Sequence, residues 1–255
     1  METADVAAII ANYNQREDWL RTFLQSLEAQ TARPREVIFC TPADCRNRPF
    51  LERYAETAPF ERFEVLTGDR ADVIHQLNTA IKAATTRYVS LVGSDDFILP
   101  GKFALESRLC DKRGLVIVYG FAVYTDANLD IIGMHETHEF SLLRFLGQNI
   151  VPDYATTRLD AFREFGFMDE TVGCAGLYDF YLKCATKWPY RIKRHDHPIY
   201  LYRQHSGQLS QGKLLAQSEL DNRTKVVKRA FERLGIPYPA NATGFRVQEQ
   251  KAYGL

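Results

Sequence analysis

The run Val6-Ala7-Ala8-Ile9-Ile10-Ala11 constrains this chain more than any other feature. Six consecutive apolar residues leave no face for water, so a strand made from them must be covered on both sides. Asn12-Tyr13-Asn14 ends the run. Asp18 can then cap a helix with Leu20, Leu24 and Leu27 on one face and Trp19 and Phe23 beside them. Arg33-Pro34 breaks that pattern. Residues 36–40 read as a second strand, stopped by Thr41-Pro42, and residues 63–66 as a short third one. Residues 71–84 place Val73, Ile74, Leu77, Ala80 and Ile81 at helical spacing, and residues 88–92 form a fourth strand. Strands alternating with helices predict an α/β fold with a mostly parallel, Rossmann-like sheet flanked by helices on both faces.

The second half reads as mixed. Residues 115–119 suggest a strand, followed by an antiparallel excursion over 121–133 with its turn at Asp126-Ala127-Asn128. Short helices are expected over 140–146 and 159–165, a longer one over 177–186, and a strand over 198–202. A long amphipathic helix over 213–234, carrying Leu214, Leu215, Val226, Val227 and Phe231, precedes a loosely ordered tail. The expected organisation is one domain over 1–210, with a half to residue 98 and a second from 99, then a C-terminal helix and tail over 211–255.

Lys+Arg and Asp+Glu both number 32, so the chain lacks the basic excess of a nucleic-acid binder. The five cysteines form no C-x-x-C pair, which predicts reduced thiols in a cytoplasmic protein. No stretch approaches the roughly 20 apolar residues of a membrane span, so only peripheral membrane contact is expected.

Ser94-Asp95-Asp96 follows directly on the fourth strand. Ligands of open α/β sheets bind beyond the carboxyl ends of strands. Adjacent carboxylates there repel each other unless a cation compensates, and oxygen ligands suit Mg²⁺ or Mn²⁺ beside a diphosphate. The alternative is that Ser94 or Asp96 caps the segment after Pro100. Asn14 can bond a base, a ribose or its own turn. His75 and Asn78 share a helix surface. Arg203 can neutralise phosphate, and His205 can ligate a metal. Residues 191–197 carry a basic cluster that reads as a solvated face. Asp179 lies among aromatic residues, where a cleft would raise its pKa and make it a general base, and a wet helix face would not.

In their order, several segments resemble glycosyltransferase family 2 over roughly residues 5–210. VAAIIANYN at 6–14 is similar to the family's first strand, which ends in a Tyr-Asn pair. NTAIKAATTRYVSLVGSDD at 78–96 resembles the approach to its D-x-D-type metal site. YGFAVYTDANLDIIG at 119–133 resembles the hairpin that follows. FREFGFMDE at 162–170 and LYDFYLKCA at 177–185 resemble acceptor-side segments, and YRQH leading to Ser210 the closing motif. The resemblance implies a GT-A fold and inverting transfer of a sugar from a nucleotide diphosphate sugar to a glycan, lipid-linked or other hydroxyl acceptor. It implies Mn²⁺ or Mg²⁺ on Asp95, with His205 as a further ligand, and Asp96 beside ribose or sugar. It also implies Tyr13, Asn14 and Asn78 at the nucleotide, Arg203 over the diphosphate, and Asp179 as the base. The chain departs from the pattern at Thr41-Pro42, where a base-reading acid is usual, and at Gly93, in place of the motif's first acid. Leu177 stands at the usual base position, so either Asp179, Asp169 or Glu170 supplies the base, or the site is impaired. The competing expectation is a non-catalytic module binding nucleotide sugar or glycan in an assembly complex. A nucleotidyltransferase would need a Gly-rich basic loop, and Asn14-Gln15-Arg16-Glu17 is not one.

Overall fold

A computed structural model describes residues 2–135, 137–208 and 217–239. The elements run β1 (Glu2–Ala11), α1 (Glu17–Glu28), β2 (Ala32–Pro42), α2 (Arg48–Ala55), β3 (Arg62–Gly68), α3 (Val73–Ala83), β4 (Tyr88–Leu91) and β5 (Phe97–Ile98). Then come α4 (Lys102–Arg113), β6 (Ile117–Thr125), β7 (Ile131–His135), α5 (Leu142–Gly147), β8 (Thr156–Arg158) and α6 (Leu159–Phe165). The last are α7 (Ala175–Lys187), β9 (Ile192–Arg203) and α8 (Gln217–Arg233). Ser210, Leu214, Leu215 and the tail from residue 240 lie outside the described residues.

Among the described residues, nine strands join one sheet in the order β3-β2-β1-β4-β8-β6-β9-β5, with β7 paired to β6. The first four are parallel neighbours. β8 runs antiparallel to both β4 and β6, β9 lies parallel to β6, and β5 runs antiparallel along β9. The sheet is therefore a parallel half joined through β8 to a mixed half.

The apolar run of β1 does what its composition requires. Ala7 and Ile9 face a core shared with α3, α5, α6, α7 and α8, while Val6, Ala8 and Ile10 face one shared with α1, α2 and α4. The two-residue period of a strand sorts one sequence between two cores. In α8, Val226, Val227 and Ala230 are buried in the first of these. At roughly 25 cal/mol per Å² of apolar surface, such burial outweighs the weak helix propensity of Val.

Several local expectations are corrected. Asp18 is not the helix cap; it sits in the first turn of α1 and pairs with Arg16 at 2.7 Å, where the helix dipole favours a carboxylate. The second strand begins before residue 36: β2 starts at Ala32 and takes in Pro34, opposite Ala4 and just before a bulge. Neither Ser94 nor Asp96 caps α4, whose N-cap is Gly101 at φ 95°. The basic run at 191–197 is a solvated face only in part: Lys193 and His197 are exposed, and the other three are engaged. His195 is buried against Glu106, Arg191 donates to the Gly114 carbonyl, and Arg194 to that of Thr137.

Candidate active site

β4 delivers Gly93-Ser94-Asp95-Asp96 to the carboxyl edge of the parallel strands, and β5 turns the chain back along β9. Phe97 lies opposite Leu201, which brings Asp96 beside the end of β9. There Asp96 accepts the Arg203 backbone N–H at 2.8 Å and the Tyr200 hydroxyl at 2.9 Å. The Tyr200 hydroxyl itself accepts from Gly93 N–H at 2.7 Å. Burial, and then the adjacent Asp95 charge, push the Asp96 carboxyl well above its usual range, although its donors pull the other way.

Asp95 is the less buried of the two. Its Oδ2 lies 2.9 Å from His205 Nε2, with side-chain exposures of 23% and 15%. The His205 ring packs edge-on to Trp19, at 4.7 Å between centroids, and its Nδ1 accepts the Gly207 N–H at 3.2 Å. That leaves Nε2 as the nitrogen facing Asp95.

Gly93 has a steric reason. A Cβ there would lie 2.5 Å from Asp96 Oδ2 and 2.8 Å from Asp95 Oδ1. Both carboxylates fold over this glycine, which an acid at the same position would prevent. Asp95 Oδ2 and His205 Nε2, side by side, suit a divalent ion once Nε2 gives up the proton it shares with Asp95, which moves the imidazole proton to Nδ1 and breaks the Gly207 contact. Among the described residues, no three His, Cys, Asp or Glu side chains form a closed metal cage.

At the ends of β1 and β2, Asn12 is buried. It accepts the Ser94 hydroxyl at 3.0 Å and donates to Asn47 at 3.4 Å. Tyr13 is 52% exposed at this edge. Asn14 adopts a left-handed φ of 53° and accepts the Arg46 N–H at 2.8 Å through its side chain. The Asn14 side chain thus bonds the loop after β2 and not its own turn.

Three site expectations meet a different arrangement. Arg203 is buried beneath the site: its Nε donates to the Asp95 carbonyl at 2.6 Å, its Nη1 to the Ala127 carbonyl, and it lies over Trp19. It ties the end of β9 to the Asp95 loop and to the turn at Ala127. Asn78 is buried, and its amide bonds the Met168 backbone in both directions and Glu170 at 3.0 Å. Asp179 is buried between Lys183 at 3.0 Å and Arg233 at 2.9 Å. These two cations hold Asp179 at the seam of α7 and α8. Asp169 and Glu170 are engaged as well. Glu170 pairs with Arg70 and stands 3.1 Å from His75, and Asp169 pairs with Arg229 at 2.8 Å. Leu177 is buried in the core.

Tyr200, Trp19 and Asn12 were not singled out in the sequence. The Tyr200-Leu201-Tyr202 alternation was the available signal for the first, since period two sends both tyrosines to one face.

A sheet of this order, with paired carboxylates past the fourth strand and a histidine closing on them, defines a GT-A-type glycosyltransferase domain. The chain belongs to glycosyltransferase family 2: the sequence pattern of "Glycosyl transferase family 2" matches residues 7–184. A relative from Bacillus subtilis (strain 168), "Putative glycosyltransferase EpsH", is 33% identical over 128 residues, 49% of this chain. The match spans 36% of that relative's length. Among solved structures, S. aureus TarS 1–349 in complex with UDP-GlcNAc has a TM-score of 0.65 at 17% identity, covering 99% of this chain and 78% of that one. The mannosyltransferase PcManGT of Pyrobaculum calidifontis, in complex with GDP-Man and Mn²⁺, also has a TM-score of 0.65, at 18% identity, covering 92% of this chain and 68% of that one. These two support the fold. Among the described residues, no helix is long and apolar enough to cross a membrane.

Proposed function

We propose that this chain transfers a sugar from a nucleotide diphosphate sugar to a glycan or other hydroxyl acceptor, with inversion at the anomeric carbon. The observation that carries the reading is the Asp95–His205 pair, partly open at the carboxyl edge of the sheet. These two residues would hold Mn²⁺ or Mg²⁺, which supplies charge stabilisation to the departing diphosphate. Asp96, Tyr200 and Arg203 fix the loop that carries Asp95, and such preorganisation is what electrostatic catalysis requires. Tyr13, exposed at the end of β1, offers a ring on which a base can stack. UDP-GlcNAc and GDP-Man, each bound by a solved relative, are the donors to try first.

The test is transfer or donor hydrolysis with Mn²⁺ present. Asp95→Ala is expected to lower the rate by about 10²–10³-fold, the usual scale for losing one electrostatic contact, with the fold retained. Undiminished turnover by that variant in excess chelator would remove the proposed metal role.

One observation favours a second reading, a non-catalytic binding module. An attacking hydroxyl must give up its proton, yet Leu177 is apolar, and Asp179, Asp169 and Glu170 are each held in ion pairs. Calorimetric titration with the same donors separates the readings: binding with no product formed supports the module.

A further inference from the structure

A cavity of about 480 Å³ lies between α3, the turn before α7, α7 itself and α8. It falls within the roughly 300–1,000 Å³ range of small-molecule sites. Its wall is made mainly of charged and amide groups, so an apolar ligand would strand them. Four cations line it: Lys82, Lys183, Arg229 and Arg233. Asp179 and Asp169 answer the last three at 2.8–3.0 Å. The third carboxylate, Glu170, is matched by Arg70, which is outside the wall. Lys82 is exposed and, among the described residues, has no carboxylate partner; its ammonium lies 5.3 Å from the Phe167 ring centre. Three carboxylates thus face four cations in the wall, an excess of one positive charge carried by Lys82, and a concave wall concentrates such a field.

We propose that this cavity binds an anionic monosaccharide, a polyhydroxyl ring bearing a carboxylate or a phosphate. Lys82 and the neighbouring cations meet the charge. The Asp–Arg pairs offer hydroxyl acceptors and donors on one wall. Arg229 and Arg233 lie beyond the family-matched residues 7–184, so half of the positive wall comes from the added helix. The site shares no residue with the Asp95 cluster and stands whether or not that cluster transfers sugar.

Calorimetric titration of the full chain at low salt with glucose 6-phosphate, glucuronate, glucose and inorganic phosphate tests it. Saturable binding of at least one anionic sugar is expected, with glucose and phosphate each weaker by about tenfold or more, a difference of roughly one charged contact. The exposed Lys82→Glu is expected to weaken the anionic sugar by about tenfold or more, while Asp95→Ala leaves it unchanged. Absence of saturable binding by every probe overturns the proposal. So does binding that survives Lys82→Glu but is lost in Asp95→Ala, and so does inorganic phosphate binding as tightly as the sugars.

Discussion

Asp95 and Asp96 are adjacent, yet their surroundings assign them different work. Asp95 meets His205 near the surface, whereas Asp96 is buried with both oxygens engaged by β9. A buried carboxyl with a raised pKa makes the folded state prefer its protonated form. Its ionisation therefore costs stability as pH rises above the unfolded value near 3.8, and the cost grows until the folded pKa is reached. Asp96→Asn removes that cost. Without metal, the variant should match the parent near pH 4 and unfold at a higher temperature by pH 8. Thermal melts across that range check it, and a variant no more stable at pH 8 would contradict the burial argument. The Asp95-Asp96 pair was legible because two acids after an apolar strand are chemically conspicuous. Tyr200, Trp19 and Asn12 were not, since their roles come from partners as many as 186 positions away, as Trp19 is from His205.

At the scale of elements, α4 is tied to the sheet by charge as well as packing. Lys102 and Glu106, one turn apart and fully buried, pair at 2.5 Å. Lys102 also donates to the Tyr154 carbonyl at 2.7 Å, Thr156 of β8 donates to Glu106 at 2.6 Å, and His195 of β9 lies 3.3 Å away. Burial pulls the Lys102 ammonium down; Lys102 and His195 hold Glu106 low against its own burial. Removing one partner strands the other, so Lys102→Met should destabilise by about 3–5 kcal/mol. Lys102→Met with Glu106→Leu should recover most of that loss. Urea midpoints of the two variants decide the point. The long, periodic elements could be read from sequence. β5 and β8, of two and three residues, could not: they exist because β9, β4 and β6 offer them partners, and no local pattern marks that. The same holds for α4, whose buried Lys102 and Glu106 read as surface residues.

Across the whole molecule, α8 is part of the domain's core even though it follows the matched family span. It buries Val226, Val227 and Ala230 and gives Arg233 to the buried Asp179. Ending the chain at residue 216 would expose that surface and leave Asp179 with Lys183 alone. Loss of a buried charge partner costs about 3–5 kcal/mol, which for a chain of this size lowers Tm by roughly 10 °C or more. Melting the truncated chain beside the full one measures it, and an unchanged Tm would show α8 to be dispensable.

The contacts that fix Asp96, and the one that meets Asp95, span 104 to 110 positions along the chain. Such closures are entropically slow and form late in folding. A fragment ending after β5 would carry both aspartates and still lack a working centre. It follows that an ion or donor captured there acts as a latch on the finished topology, adding RT ln(1 + [L]/Kd) to its stability. Thermal protection by Mn²⁺ would therefore report the arrival of β9, and not merely the presence of two acids.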